Sequence, residues 1–209
     1  MGERLHAYAR AMSTRMKTID CPDIGAVKLI SVLVADDHAA IRKSLKIVLE
    51  LDGDLQVVGE AKNGREAVQL ALSLRPDVIV MDLAMPLLNG LQATRQIREA
   101  LPMIRILIFS GHPDPEYIKQ AIVSGASGYL VKQSSTQFLA EAVREVLKGN
   151  IYLETQIPKP LRDQCRKLFH RREVSIKKVV PVASVKRGRL TMRRPGKGGK
   201  PGTTSKTRP

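Results

Sequence analysis

The chain has no tryptophan, three phenylalanines and four tyrosines in 209 residues, so any core it builds must be aliphatic. Its two cysteines, Cys21 and Cys165, lie far apart without CxxC spacing. That excludes a disulfide framework and a cysteine zinc motif, and it fits a reducing compartment. No apolar run reaches the ~18 residues a membrane span needs. The N-terminus lacks the continuous apolar stretch of a secretory signal. The expectation is a cytoplasmic protein without membrane contact. Acidic residues almost vanish near the C-terminus: residues 155–209 hold 17 Lys or Arg against Asp163 and Glu173 alone. Residues 29–154 hold 13 basic and 15 acidic residues. The net charge of +15 is therefore a property of the last quarter of the chain and says little about its middle.

Four segments follow from the pattern. Residues 1–28 show scattered Arg4, Arg10, Arg15 and Lys17 and a turn-like Cys21-Pro22-Asp23; they read as a disordered extension. Residues 29–152 alternate short β-branched runs with helical apolar patterns. The runs are Ile30–Ala35, Leu55–Val58, Val78–Met81, Ile104–Phe109 and Gly128–Val131. Helical patterns lie between them, such as Ile41, Leu45, Val48 and Leu49, with a last one through Phe138, Leu139, Ala142, Val143 and Val146. Val78–Met81 is apolar on both faces, as a strand inside a parallel sheet must be. Five βα units in about 120 residues predict an α/β, doubly wound parallel sheet with helices on both faces. Residues 153–179 read as a linker with a basic amphipathic helix carrying Leu161, Cys165, Leu168 and Phe169 on one side. Residues 180–209, rich in Gly, Pro, Lys and Arg, offer too little apolar surface to offset ordering entropy and read as a disordered basic tail.

In an open parallel sheet, ligands bind outside the carboxyl ends of the strands. There the sequence places Asp36-Asp37 after strand one, Asp82 after strand three, Ser110 at the end of strand four and Lys132 after strand five. Taken singly, Asp37 could cap the next helix, Ser110 could be a turn residue and Lys132 a solvated loop lysine. Taken together, they bring three carboxylates, a hydroxyl and an ammonium to one rim. A hard divalent cation such as Mg²⁺ relieves the repulsion among the carboxylates. Asp82 could then stay ionised as a nucleophile toward a phosphoryl group, with Ser110 and Lys132 donating to its oxygens.

VLVADDHAAIR, VIVMDLAMPLLNG, ILIFSGH and GYLVK resemble, in order and spacing, the blocks of the response-regulator receiver domain, the CheY-like module of two-component signalling. The resemblance covers about residues 30–150. It implies a flavodoxin-like five-stranded sheet of order 2-1-3-4-5. It also implies that Asp82 accepts the phosphoryl group from a sensor histidine kinase, and that Asp36, Asp37, Asp82 and the Ala84 backbone carbonyl hold Mg²⁺. In the same way Ser110 and Lys132 contact the phosphoryl group, and Tyr129 is an aromatic switch that turns inward as Ser110 moves. The surface that responds is that of the fourth helix, fifth strand and fifth helix, and a homodimer through the receiver is compatible with it.

The block DDH with GASGYLVK, and Gln133 where many receivers have proline, resemble the NarL/FixJ (LuxR-type) subfamily. Its members usually carry a C-terminal helix-turn-helix output domain. After about Lys178 no helix-turn-helix can be written, so that domain is missing or degenerate here. The reading is a phosphorelay switch linked by descent to transcription regulation, not a turnover enzyme. The alternatives are a nucleic-acid-binding protein acting non-specifically on DNA through the basic tail, or a truncated regulator without output of its own. A haloacid-dehalogenase-type phosphatase is disfavoured, because Ala84 stands where its second aspartate belongs.

Overall fold

The computed structural model describes residues 29–132 and 136–179. The expected N-terminal extension, Gln133 and the basic tail of residues 180–209 lie outside the described residues. The chain runs β1 (Ile30–Ala35), α1 (Ala39–Glu50), β2 (Leu55–Ala61), α2 (Gly64–Leu74), β3 (Val78–Met81), α3 (Gly90–Ala100), β4 (Arg105–Ser110), α4 (Pro115–Ser124) and β5 (Gly128–Val131). A 3₁₀ turn at Thr136–Phe138 leads into α5 (Leu139–Leu147), followed by β6 (Tyr152–Leu153) and α6 (Lys159–Val179).

The strands form one parallel sheet in the order β2-β1-β3-β4-β5-β6. The order 2-1-3-4-5 is as expected, and β6 extends it by one strand. Strand alternation sorts the core into two layers. Val32, Val34, Val78, Val80, Leu107, Phe109 and Leu130 face Leu45 and Leu49 of α1 and Leu139, Val143 and Val146 of α5. Leu33, Ala35, Ile79, Met81, Ile106, Ile108 and Tyr129 face α2, α3, α4 and α6. Small residues Ala67, Ala71 and Ala93 let α2 and α3 approach that second layer closely. Helix starts follow from short polar caps: Asn63 accepts from the Glu66 N–H, Asn89 from the Gln92 N–H, and Asp114 from the Glu116 N–H.

Residues 153–179 do more than connect. Tyr152 and Leu153 pair with Gly128 and Tyr129, covering the edge of β5. Leu153, Ile157, Leu161, Cys165 and Phe169 are buried in the second core layer, so the amphipathic face anticipated for this helix packs against the sheet and its helices. Polar contacts fix its far end. The Arg172 guanidinium donates to the carbonyls of Ile122 (2.7 Å) and Ala126 (3.2 Å) at and just beyond the end of α4, and lies 5.1 Å over the Phe169 ring. Glu173 accepts from Arg98 (3.1 Å) and Arg105 (2.9 Å). Arg98 also donates to the Ile104 carbonyl at 2.6 Å. Burial, with the neighbouring Arg172 and Arg105 charges, brings the Arg98 guanidinium down to about 10 despite Glu173. Burial opposes ionisation of Glu173, yet Arg105, Arg98 and Arg172 together hold its carboxyl below the ordinary range.

This one carboxylate serves three largely buried cations. Glu173→Ala should therefore cost about 3 kcal/mol, because Arg98 and Arg105 lose their counter-charge inside the protein. Phe169→Ala should cost about 3–5 kcal/mol as a buried aromatic truncation. The exposed Lys167→Ala should stay within about 0.5 kcal/mol. Urea unfolding of the full chain checks all three, and equal midpoints would mean that α6 is not part of the cooperative unit.

Candidate functional site

The parallel register decides which residues meet. Val34 pairs with Val80 and Ala35 with Met81, so Asp36 and Asp82 leave adjacent strands side by side. The Asp82 N–H donates to the Ala35 carbonyl at 2.8 Å, and the Asp36 N–H to the Ala61 carbonyl at 3.0 Å. On the other side Ser110 pairs with Val131, and the Lys132 N–H donates to the Ser110 carbonyl at 2.9 Å. Four strand ends thus deliver Asp36, Asp82, Ser110 and Lys132 to one rim.

There Lys132 bridges two carboxylates. Its Nζ lies 2.7 Å from Asp36 Oδ2 and 3.0 Å from Asp82 Oδ2. Both aspartates are buried, while Lys132 keeps a fifth of its side chain in solvent. Each carboxylate spends its other oxygen on a backbone amide: Asp36 Oδ1 accepts from His38 N–H (2.9 Å), and Asp82 Oδ1 from Leu83 N–H (2.8 Å). Burial, followed by the nearby Asp36 charge, holds the Asp82 carboxyl above its ordinary value, although Lys132 and the Leu83 amide pull the other way. Burial opposes the charge of Lys132, but its two carboxylate partners keep the ammonium above its usual pKa.

Asp37 and His38 form the outer part of the rim. His38, not Asp37, occupies the N-cap of α1, with no side-chain cap, so Asp37 does not serve as a helix cap. His38 Nδ1 lies 2.7 Å from Asp37 Oδ1. That oxygen accepts no hydrogen bond although it is shielded from solvent. Ligand atoms of Asp36, Asp37 and His38 all fall within 4.8 Å of one another, the one such group of three among the described residues. An under-coordinated carboxylate oxygen beside a second carboxylate suits a hard cation that takes oxygen ligands. Asp82 joins the cluster through the Lys132 ammonium. Ala84 lies exposed in the loop after β3.

That loop is shaped by local chemistry. Leu83 and Met85 turn into the core while Leu87 is exposed with φ 65°. This left-handed conformation is costly for a leucine and occurs where the surrounding structure enforces it. Gly90 opens α3 where a Cβ would collide with the Asp82 carbonyl oxygen, and its N–H donates to the Leu83 carbonyl at 3.0 Å. The NG pair of the sequence block is therefore required by close approach of α3 to the backbone of Asp82.

Ser110 is fully buried, and its Oγ accepts from the His112 N–H at 3.3 Å. Tyr129 already points inward: its ring is fully buried and its hydroxyl donates to the His112 carbonyl at 2.5 Å. Burial pushes its phenol up to about 12, against a hydrogen bond with Ser110. The inward position expected to follow phosphorylation is thus the one this structure holds. Sequence reasoning missed His38 and His112 as contact partners, though both stand within two residues of the named positions.

Residues 32–144 match the response regulator receiver domain family. Among curated proteins, the chain is similar to the transcriptional regulatory protein DegU of Brevibacillus brevis, 35% identical over 144 residues, which are 69% of this chain and 61% of that protein. It is likewise similar to the transcriptional regulatory protein LiaR of Bacillus subtilis, 40% identical over 129 residues, 62% of this chain and 61% of that one. The chain thus spans about three fifths of the length of these relatives. Among solved structures it resembles a two-component response regulator of the LuxR family from Aurantimonas, with a TM-score of 0.62 and 32% identity, covering 65% of this chain and 97% of that one. With the strand-end aspartates, serine and lysine gathered on one rim and this match across more than half its length, the chain belongs to the response regulator receiver domain family.

Proposed function

We propose that the chain is a phosphorylation switch in which Asp82 accepts a phosphoryl group from the phosphohistidine of a sensor histidine kinase. The observation that carries this reading is the Lys132 ammonium set between Asp36 and Asp82. Asp82 Oδ1 is tied to the Leu83 amide, which leaves Oδ2, the oxygen facing Lys132, as the nucleophile. As the Oδ2–P bond forms, the P–N bond of the phosphohistidine breaks and the imidazole leaves. Lys132 moves with the negative charge from the carboxylate to the transferred oxygens, and Ser110, at the end of the neighbouring strand β4, offers its hydroxyl to them. Asp36, Asp37, Asp82 and the Ala84 carbonyl would hold Mg²⁺, which would neutralise carboxylate and phosphoryl charge there. Tyr129, sharing its hydroxyl between Ser110 and the His112 carbonyl, reports the change to α4 and β5. The relatives' names point to transcription regulation as the output.

A second activity is favoured by one observation. Arg166, Lys167 and Arg171 are exposed on α6, and residues 180–209 add nine Lys or Arg without a single acid. We infer non-specific DNA binding through this basic end.

Incubation with acetyl phosphate and Mg²⁺, followed by mass spectrometry, should place one phosphoryl group on Asp82. Asp82→Ala should abolish the label and Asp37→Ala should weaken it by loss of metal; a normal label in Asp82→Ala would sink the assignment. The raised Asp82 pKa sets a pH dependence. Below the unfolded value of 3.8 the carboxyl is neutral in both states and carries no penalty. As pH rises from there through the higher folded pKa, the folded protein must ionise a buried group and loses stability. Asp82→Asn should therefore melt a few degrees above the parent protein at pH 7 in metal-free buffer, with the gap closing toward pH 3. DNA retention by the full chain should fall about 10³-fold or more between 50 and 200 mM salt, with little sequence preference. A sharp footprint that persists at high salt would contradict the electrostatic mode.

A further inference from the structure

Glu154 is a buried carboxylate outside the segment that matches the family, with 4% of its surface exposed. It follows directly on β6, and its side chain reaches back to β5. Its Oε2 accepts from the Val131 N–H at 2.9 Å, and its own N–H donates to the Tyr129 carbonyl at 3.4 Å. Its carbonyl accepts from the Ile157 N–H at 3.1 Å, tying it to the turn that leads into α6.

The need for this contact follows from strand lengths. β6 has two residues, which pair with Gly128 and Tyr129, so the ladder ends before Val131. The Val131 N–H would then be a buried donor at the sheet edge without a strand to accept it. The Glu154 carboxylate takes the place of the missing strand. A carboxylate binds an amide more strongly than a carbonyl does, and its burial is tolerable only because it is hydrogen-bonded. The residue after Val131 is Lys132. The β5 end is therefore clamped from both edges: Val131 N–H by Glu154 on one side, and Lys132 N–H by the Ser110 carbonyl on the other.

We propose that Glu154 is a positioning residue of the Asp82 site. By holding the Val131 amide it fixes the backbone from which Lys132 reaches Asp36 and Asp82, and it ties that lysine to the β6–α6 segment. The inference rests on Asp82 being the phosphoacceptor. Coupling is reciprocal: a shift of Lys132 on phosphorylation must be felt at Glu154, and loosening Glu154 must change the phosphorylation chemistry. A side chain serving only to stabilise the sheet edge would alter melting and nothing else.

The test compares the full-length parent chain with Glu154→Ala and Glu154→Gln. Glutamine keeps an oxygen that can accept from Val131; alanine does not. Glu154→Ala should slow acetyl-phosphate labelling of Asp82 by about tenfold, in the range seen when a supporting hydrogen bond behind a site residue is removed. It should also shift the Val131 and Lys132 amide resonances, while Glu154→Gln restores most of the rate. Labelling rate and phosphoryl lifetime equal to the parent's in Glu154→Ala would overturn the proposal, whatever happens to the melting temperature. Absence of label on Asp82 in the parent chain would instead overturn the phosphoacceptor reading on which the proposal stands. Should Glu154→Ala fail to fold, the parent chain alone gives the answer. The side-chain carboxyl carbon resonance of Glu154 should move when Mg²⁺ and beryllium fluoride are added, and a resonance that stays in place would refute the coupling.

Discussion

Two buried carboxylates on neighbouring strands, Asp36 and Asp82, can coexist only because a cation stands between them. In this structure the cation is the Lys132 ammonium, brought from the end of β5 across two strands. The backbone brings it there through the β1–β3 and β4–β5 registers, the Ser110 carbonyl that accepts from the Lys132 amide, and the fully buried strand β3. The repulsion is relieved but not abolished, which is why the Asp82 carboxyl stays above its ordinary range. A group held so is poised for chemistry. Additional positive charge at the rim lowers the energy of the site. The fold thus stores a local electrostatic penalty at the carboxyl rim of the sheet, as functional sites commonly do.

The second dependence runs outward from β5. An edge strand needs a partner, and here the chain supplies its own: β6, the Glu154 carboxylate, and α6 packed over the α4 side of the sheet. This arrangement packs residues 153–173 against the same core layer as the sheet. It also means that the surface of α4 and β5, which the family resemblance assigns to the response, is partly covered by the chain's own C-terminal helix. Arg172 at the end of α4 and Glu173 between Arg98 and Arg105 hold that cover by charge at its far end, while Leu161, Cys165 and Phe169 hold it by apolar burial.

The strands β3 and β5 were legible residue by residue, because a buried parallel strand is a continuous apolar run. The site aspartates, Ser110 and Lys132 were legible for a related reason: each directly follows or ends such a run, so strand polarity alone sends it to the rim. The amphipathic face of α6 was legible from its spacing. What it packs against was not, since a period of 3.6 names a buried face but no neighbour. β6 escaped notice because two residues carry no period. Glu154, Arg98 and Glu173 escaped because the contacts Glu154–Val131, Arg98–Glu173 and Arg105–Glu173 join residues 23 or more apart in sequence.

The sequence by itself therefore determined the element order, the parallel sheet and the residue types at its carboxyl rim, since these depend on local pattern and chain direction. Only the tertiary structure decided that Lys132 lies between Asp36 and Asp82, that Tyr129 is turned inward, and that Glu154 completes the edge of β5. Those outcomes depend on distances between side chains from different strands, which register and packing set and no local pattern encodes.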